Sequence, residues 1–213
     1  MKIIDCTQGT PEWHRARAGR VTASRIADLT AKTKTGWGAG RANYKAELVA
    51  ERLTGTVADS YSNAAMQWGT EKEPDARNAY AFMADVSVGE VGFVIHPRLE
   101  MSGASPDGLV GEDGLLEIKC PNTATHIDTL LSDAVPEKYI KQMQWQMACT
   151  GRAWCDFVSY DPRLPADMQL FVKRVMRDAD CTLEAAVIEF LAEVDATVAA
   201  LNNKFNIKRE AAE

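Results

Sequence analysis

The sequence has no cysteine framework. Its five cysteines (Cys6, Cys120, Cys149, Cys155, Cys181) are scattered and odd in number, and no two stand as a C-x-x-C pair. That argues against a disulfide scaffold and leaves buried free thiols as the expectation. Histidine is scarce too. His14, His96 and His126 lie far apart, so a structural zinc or iron–sulfur site, which needs four clustered ligands, is not expected. No apolar run approaches the ~18–20 residues that a membrane span needs. The opening Met1-Lys2-Ile3-Ile4-Asp5 lacks the apolar core of a signal peptide, and a cytoplasmic protein is expected. Internal repeats and low-complexity segments are also missing.

An excess of positive charge is lacking as well. The 213 residues carry a net charge of −6, which speaks at first sight against nucleic acid. The distribution says something different. Residues 1–50 hold nine Lys and Arg against four Asp and Glu, a net +5, while the remainder holds 15 against 26, a net −11. An acidic chain still binds phosphate when its cations are gathered on one surface, although solvated faces charged by chance give the same asymmetry.

What is present is an ordinary globular composition, 46% apolar and 25% charged, enough for one substantial α/β domain. Thr22-Ala23-Ser24 opens a short helical stretch to Leu29, with a hydroxyl available as cap. Lys32 to Gly40, rich in Thr, Lys and Gly, reads as a mobile loop. Arg41 to Leu53 reads as a helix ended by Thr54-Gly55. Ala64 to Ala84 has a helical pattern in which Pro74 is expected to mark the true start. Val86–Ile95, Met101–Val110 and Leu115–Lys119 read as strands, the last two joined through Gly111-Glu112-Asp113-Gly114 as a hairpin. A helix over Glu137–Cys149, strands over Trp154–Tyr160 and Met168–Val175, and an acidic helix over Leu183–Leu201 follow, with 206–213 expected to fray. The fold class is therefore α/β, a mixed central β-sheet flanked by helices.

Chemistry concentrates in Ser105-Pro106-Asp107-Gly108 and, ten residues beyond Asp107, Glu117-Ile118-Lys119. Residues i and i+2 of a strand share a face, so Glu117 and Lys119 project together while Ile118 enters the core. The hairpin brings Asp107 beside them. Two carboxylates supply hard oxygen ligands for Mg²⁺, with Mn²⁺ as a substitute, and the ammonium is placed to orient a water or stabilise developing negative charge. Alone, Glu-x-Lys reads equally as a surface ion pair worth about 0–1 kcal/mol. Trp68, Trp145, Trp154 and Phe157 read as core packing, and Trp13 as packing of the N-terminal segment. Trp37 is a candidate DNA contact. His14 is a phosphate contact or a structural hydrogen bond.

The run Pro106-Asp107 then Glu117-Ile118-Lys119 resembles the PD-(D/E)XK nuclease signature. Trp13-His14-x-x-Arg17-x-Gly19-x-x-Thr22-Ala23-Ser24 resembles the opening motif of the phage lambda-type exonucleases, the YqaJ-like viral recombinase family. Trp68-Gly69 with Glu73 and Asp75-Ala76-Arg77, then Ser105 to Gly108, Glu117-x-Lys119-Cys120-Pro121, Tyr139-x-x-Gln142-x-Gln144 and Tyr160-Asp161-Pro162-Arg163 follow in family order.

The resemblance implies a restriction-endonuclease-like (PD-(D/E)XK) core in a single nuclease domain over 1–213. That domain would have a helical, basic part at 1–55 and a catalytic α/β core at 64–205. It further implies that Asp107, Glu117 and the Ile118 backbone carbonyl hold the metal, that Lys119 positions the attacking water, and that Glu73 sits at the rim through a second metal or its water. Gln142 would line the site beside Lys119, and Arg17, Ser24 and Lys34 would hold a terminal 5′-phosphate. Lys34 stands where the family usually has Arg, which keeps the charge and loses the bidentate fork. The implied enzyme is a Mg²⁺-dependent 5′→3′ exonuclease acting on linear double-stranded DNA. It would form a homotrimeric ring with a single-strand annealing protein as partner and no membrane association, encoded by a phage or prophage and active in the bacterial host cytoplasm. An endonuclease using the same site, and a non-catalytic DNA-binding relative, are the alternatives.

Overall fold

The computed structural model describes residues 1–34, 36–57, 64–179 and 182–205. Short elements dominate the N-terminal part. β1 (Lys2–Ile4) precedes α1 (Pro11–Arg17), which starts on a Thr10 side-chain cap with Pro11 in its first turn. β2 (Val21–Thr22) runs through a 3-10 turn (Ala23–Arg25) into α2 (Ile26–Thr30). The expected hydroxyl cap does not form. Thr22 makes no cap bond, and its Oγ1 lies 3.3 Å from Ser24 Oγ instead. The segment 32–40, expected as a loop, folds back as a hairpin of β3 (Lys32–Thr33) and β4 (Gly36–Trp37). α3 (Ala39–Thr54) then ends, as the Thr-Gly pair predicts, on Gly55 at φ 71°. The segment 1–55 is thus not purely helical, since β1 and β2 join a sheet.

α4 (Ala64–Ala84) is continuous through Pro74, contrary to the expected start there. The proline removes one backbone donor, but Pro74 and Thr70, four residues before it, are both exposed. Burial of Ala76 and Tyr80 on the other side of the helix outweighs that loss.

The two N-terminal strands expected in the core each divide between two sheets. Val86–Ile95 becomes β5 (Val88–Gly89) and β6 (Phe93–Ile95), and Met101–Val110 becomes β7 (Ser102–Ala104) and β8 (Gly108–Val110). One sheet has the order β1-β6-β7-β2. The chain crosses from it at Ser105-Pro106-Asp107 into the second, where the proline cannot serve as a ladder donor. There β8 pairs antiparallel with β9 (Gly114–Lys119), Gly108 opposite Leu116, as the hairpin reading expects.

α5 (Thr123–Ser132), which the pattern did not disclose, and α6 (Glu137–Thr150) follow. β10 (Trp154–Tyr160) and β11 (Leu170–Met176) complete the second sheet, and α7 (Leu183–Lys204) closes the described chain. The expected Met168 start of the last strand is displaced, because 166–168 form a 3-10 turn. Residues 206–213, expected to fray, lie outside the described residues.

The second sheet, β11-β10-β9-β8-β5, is mixed: β9 and β10 are parallel and the other pairs antiparallel. Along β9 the alternation sends Leu116 and Ile118 toward α4 with Ala76 and Tyr80, and Leu115 toward α6 with Met143 and Met147. Glu117 and Lys119 share the Leu115 face and so meet α6. Close backbone approach fixes β7, since a Cβ on Gly103 would stand 2.4 Å from Phe93 Cζ and 2.5 Å from the Val94 carbonyl. Gly103→Ala should therefore lower stability by about 1–3 kcal/mol in urea titration. An unchanged midpoint would contradict that packing.

Candidate active site

Glu117 is fully buried, and its charge is satisfied from two elements. Gln142 Nε2 donates to its Oε1 and Gln146 Nε2 to its Oε2, each at 2.6 Å. The two glutamines are four apart on α6, so both reach one carboxylate from the same helix face. Lys119 forms an ion pair with Glu117 Oε1 and lies 5.4 Å over the Tyr139 ring. Burial works to lower the Lys119 pKa, but the carboxylates of Glu117 and Asp107 outweigh it and raise it, so the side chain stays an ammonium.

Asp107 sits at the sheet-to-sheet crossover. Its N–H donates to the Leu116 carbonyl at 3.1 Å, and its Oδ2 accepts the Ile118 N–H at 2.6 Å. Burial first, then the neighbouring charges of Glu117 and Glu73, hold its carboxyl well above the usual range. Glu73 on α4 is likewise raised by burial, although Arg77 Nη2 donates to its Oε1 at 2.7 Å. Burial and neighbouring carboxylate charge push Asp107 and Glu73 toward protonation beside the buried Glu117, which is the electrostatic condition a divalent cation relieves. Among the described residues no three His, Cys, Asp or Glu side chains already converge as a ligand set. The donors that fit such an ion are Asp107, Glu117 and backbone oxygen.

A second group lies beside this one. Arg17 stacks on the Trp13 ring, 4.0 Å from its centroid, and its Nη2 is 3.5 Å from Ser24 Oγ. It makes no ion pair with the described residues, and burial lowers its pKa to about 10. Arg17, Ser24, His14, Arg20 and Arg25 line a cavity of about 800 Å³, whose wall also includes Glu73 and Arg77. Lys34 is not part of this wall. It is exposed at the turn of the β3–β4 hairpin, where Trp37, also exposed, stacks on Arg41 at 4.0 Å.

Structure adds Gln146, which the sequence reading missed, and gives a place to Arg77, which the motif named without a role. Gln146 is buried and holds Glu117, whereas Gln144, which the motif includes, faces away and donates to the Met176 carbonyl. Arg77 joins Glu73, Glu90 and the Asp107 carbonyl, the last through Nε at 3.2 Å. The i, i+4 spacings Glu73–Arg77 and Gln142–Gln146 were the available signals. Trp145 and Phe157 are core residues as expected, and Trp68 and Trp154 pack partly buried against the core. The thiols of Cys6, Cys120, Cys149 and Cys155 are free, and all but Cys6 are buried; Cys181 lies outside the described residues. No helix among the described residues is long and apolar enough to cross a membrane.

Comparison with known proteins places these groups in a family. The model of the YqaJ-like viral recombinase domain matches residues 12–153, which include every site residue named above. An alkaline exonuclease (LHK-Exo) from Laribacter hongkongensis is 54% identical, with a TM-score of 0.87, over 92% of this chain and 98% of its own. The structure of LHK-Exo in complex with dAMP matches at 55% identity and a TM-score of 0.87, with the same coverage. A phage-related exonuclease from Haemophilus somnus 129PT shares the fold at 16% identity and a TM-score of 0.68, over 87% of this chain and 96% of its own. Uncharacterized protein R354 of Acanthamoeba polyphaga mimivirus is 27% identical over 174 residues, 74% of this chain, and the chain spans only 30% of that relative's length. With its restriction-endonuclease-like fold and its carboxylate–lysine centre, the chain belongs to the YqaJ-like viral recombinase family and is built as a nuclease.

Proposed function

We propose that the protein is a Mg²⁺-dependent 5′→3′ exonuclease that digests one strand of linear double-stranded DNA from a 5′-phosphorylated end. It would release 5′-mononucleotides and leave a 3′ single-stranded tail for phage-type recombination in the host cytoplasm. The observation that carries this reading is the shared wall between the Arg17 cavity and the carboxylate centre. A half-buried guanidinium with no ion pair among the described residues, beside a seryl hydroxyl, suits a phosphate, and Glu73 and Arg77 border both places. The dAMP bound to LHK-Exo supports a mononucleotide as product.

Asp107, Glu117 and the Ile118 carbonyl would hold the cation. The extended backbone of β9 turns the Ile118 N–H toward Asp107, and the carbonyl of the same residue leaves on the same side. When bound, the ion supplies Lewis-acid charge at the scissile phosphate. Lys119, kept protonated, donates to the attacking water and to the charge that develops. Gln142 and Gln146 fix Glu117, and Glu73 offers a further carboxylate at the rim. Arg17 and Ser24 hold the terminal phosphate, which sets polarity by admitting only a 5′ end. Lys34, at its hairpin turn, supplies charge along the DNA backbone.

A homotrimeric ring around DNA and an annealing protein as partner follow from the family rather than from any surface described above. A gel-filtration mass of one subunit with DNA bound would count against the ring. The direct test is product analysis on linear 5′-phosphorylated duplex beside closed circular duplex, with Mg²⁺ or EDTA. Mononucleotides from the linear DNA alone support the proposal. Cutting of the circle means an endonuclease, and no hydrolysis means a DNA-binding relative. Arg17→Ala should reduce the preference for a 5′-phosphate over a 5′-hydroxyl end by about 10- to 100-fold, the worth of a hydrogen bond to a charged group. A preference left intact would remove Arg17 from the pocket.

A further inference from the structure

The crossover Ser105-Pro106-Asp107 is pinned at three successive residues by side chains from outside its own sheets. Trp13 Nε1 donates to Ser105 Oγ at 2.8 Å, Gln8 Nε2 to the Pro106 carbonyl at 2.8 Å, and Arg77 Nε to the Asp107 carbonyl at 3.2 Å. The Gln8 amide also donates to the Val91 carbonyl at 2.9 Å, which ties the crossover to the segment entering β6. All three donors line the Arg17 cavity. Trp13 has two contacts at once, its ring face beneath the Arg17 guanidinium and its N–H on Ser105.

We infer that Gln8 and Trp13 are positioning residues that set the place of the Asp107 carboxylate and couple it to occupancy of the anion cavity. The argument is geometric. Asp107 lies beyond the end of the β8 ladder, so pairing fixes it on one side only, through Leu116 and Ile118. The other side is held by Arg77 of α4 at the Asp107 carbonyl and by the N-terminal segment at Ser105 and Pro106. An anion bound by Arg17 would hold the guanidinium in its place over the indole, whose N–H bonds Ser105, two residues from Asp107. A catalytic carboxylate displaced by about 1 Å can cost as much as 10²-fold in rate. Gln8 is uncharged and lies ahead of the Trp13 motif, and its role is visible only through its two carbonyl partners.

This inference rests on the nuclease reading for its coupling to turnover, and its test is chosen to be separable from that reading. Gln8→Ala and Trp13→Phe, the latter keeping a ring for Arg17 and removing the N–H, are compared with the wild-type full chain. Mn²⁺ affinity is measured by electron paramagnetic resonance without DNA. The expected result is a three- to tenfold weaker Mn²⁺ affinity in both variants, by analogy with the ~10–100-fold cost of losing a group that orients a metal ligand. On 5′-phosphorylated linear duplex, kcat should fall by about tenfold or more with KM within about threefold. Ser105→Ala should reproduce Trp13→Phe, and the double variant should be no worse than either alone, which a general loosening of the fold would not produce. It also serves if Trp13→Phe does not fold. Mn²⁺ affinity and kcat both within twofold of wild type in folded variants would overturn the inference. A wild type that hydrolyses nothing, yet loses Mn²⁺ affinity on these substitutions, would sink the nuclease reading and leave the positioning role standing.

Discussion

Lys119→Ala is expected to lower the single-turnover rate on 5′-phosphorylated duplex by about 10²- to 10³-fold while DNA affinity changes little. That is the usual cost of removing one preorganised donor from a developing oxyanion. The size of the effect follows from the protonation state. Glu117 and Asp107 keep the ammonium charged against the pull of burial, so in the proposed mechanism Lys119 would remain a donor and charge clamp at alkaline pH, where an unperturbed amine would begin to titrate. Lys119→Arg should not restore the rate, because a planar guanidinium cannot occupy the space between Glu117 and the Tyr139 ring that a compact ammonium fills. Single-turnover rates with Mg²⁺ and filter-binding affinities in EDTA separate chemistry from binding. A rate within threefold of wild type in the alanine variant would remove Lys119 from the chemistry.

The parts of this site that were legible in the sequence are those that local rules determine. Strand alternation put Glu117 and Lys119 on one face and Ile118 in the core, and the glycine-bounded turn predicted the pairing that brings Asp107 alongside. The charge surplus of residues 1–50 proved to be partly the wall of one cavity, through Arg17, Arg20 and Arg25. What was not legible depends on tertiary contact. β5, β6, β7 and β8 are two or three residues long, too short for a period to register, and two apparently continuous strands conceal a change of sheet. The neighbours matter in such cases: at Ser105-Pro106 the proline offers no ladder donor, and Gln8 and Trp13 bond the Pro106 carbonyl and the Ser105 hydroxyl from outside the sheets. Gln146 illustrates the same limit. Its i, i+4 spacing puts it on the helix face of Gln142, which Gln144 does not share, but only the position of β9 across α6 makes it a partner of Glu117. Lys34 carries the charge that the motif asks for, but its hairpin turn sets it apart from Arg17 and Ser24.

Asp107→Asn should abolish metal-supported hydrolysis, by at least about 10³-fold, and at the same time make the metal-free protein more heat-stable near neutral pH. Both halves come from one fact. The Asp107 carboxyl is buried beside Glu117 and Glu73, which raises its pKa well above 3.8. A carboxyl whose folded pKa stands above its unfolded value favours folding while it is protonated. That contribution is present below the unfolded value and is lost as the pH climbs through the folded one. Ionising Asp107 therefore costs the metal-free fold stability, and in the proposed mechanism that charge is what the cation would use. Asparagine keeps an oxygen for the Ile118 N–H and removes the charge. The wild-type melting temperature in EDTA should fall as pH rises from about 4 toward 8 more steeply than that of the variant, and Mg²⁺ should close the gap by stabilising wild type alone. Asp161 contributes with the opposite sign. Despite burial, its hydrogen bonds with Arg163 and Thr123 lower its pKa to about 2, so its stabilisation is lost only as pH falls toward that value, and it is common to both proteins. Parallel melting curves for wild type and Asp107→Asn across that range, with or without Mg²⁺, would show that Asp107 neither carries the repulsion nor holds the ion.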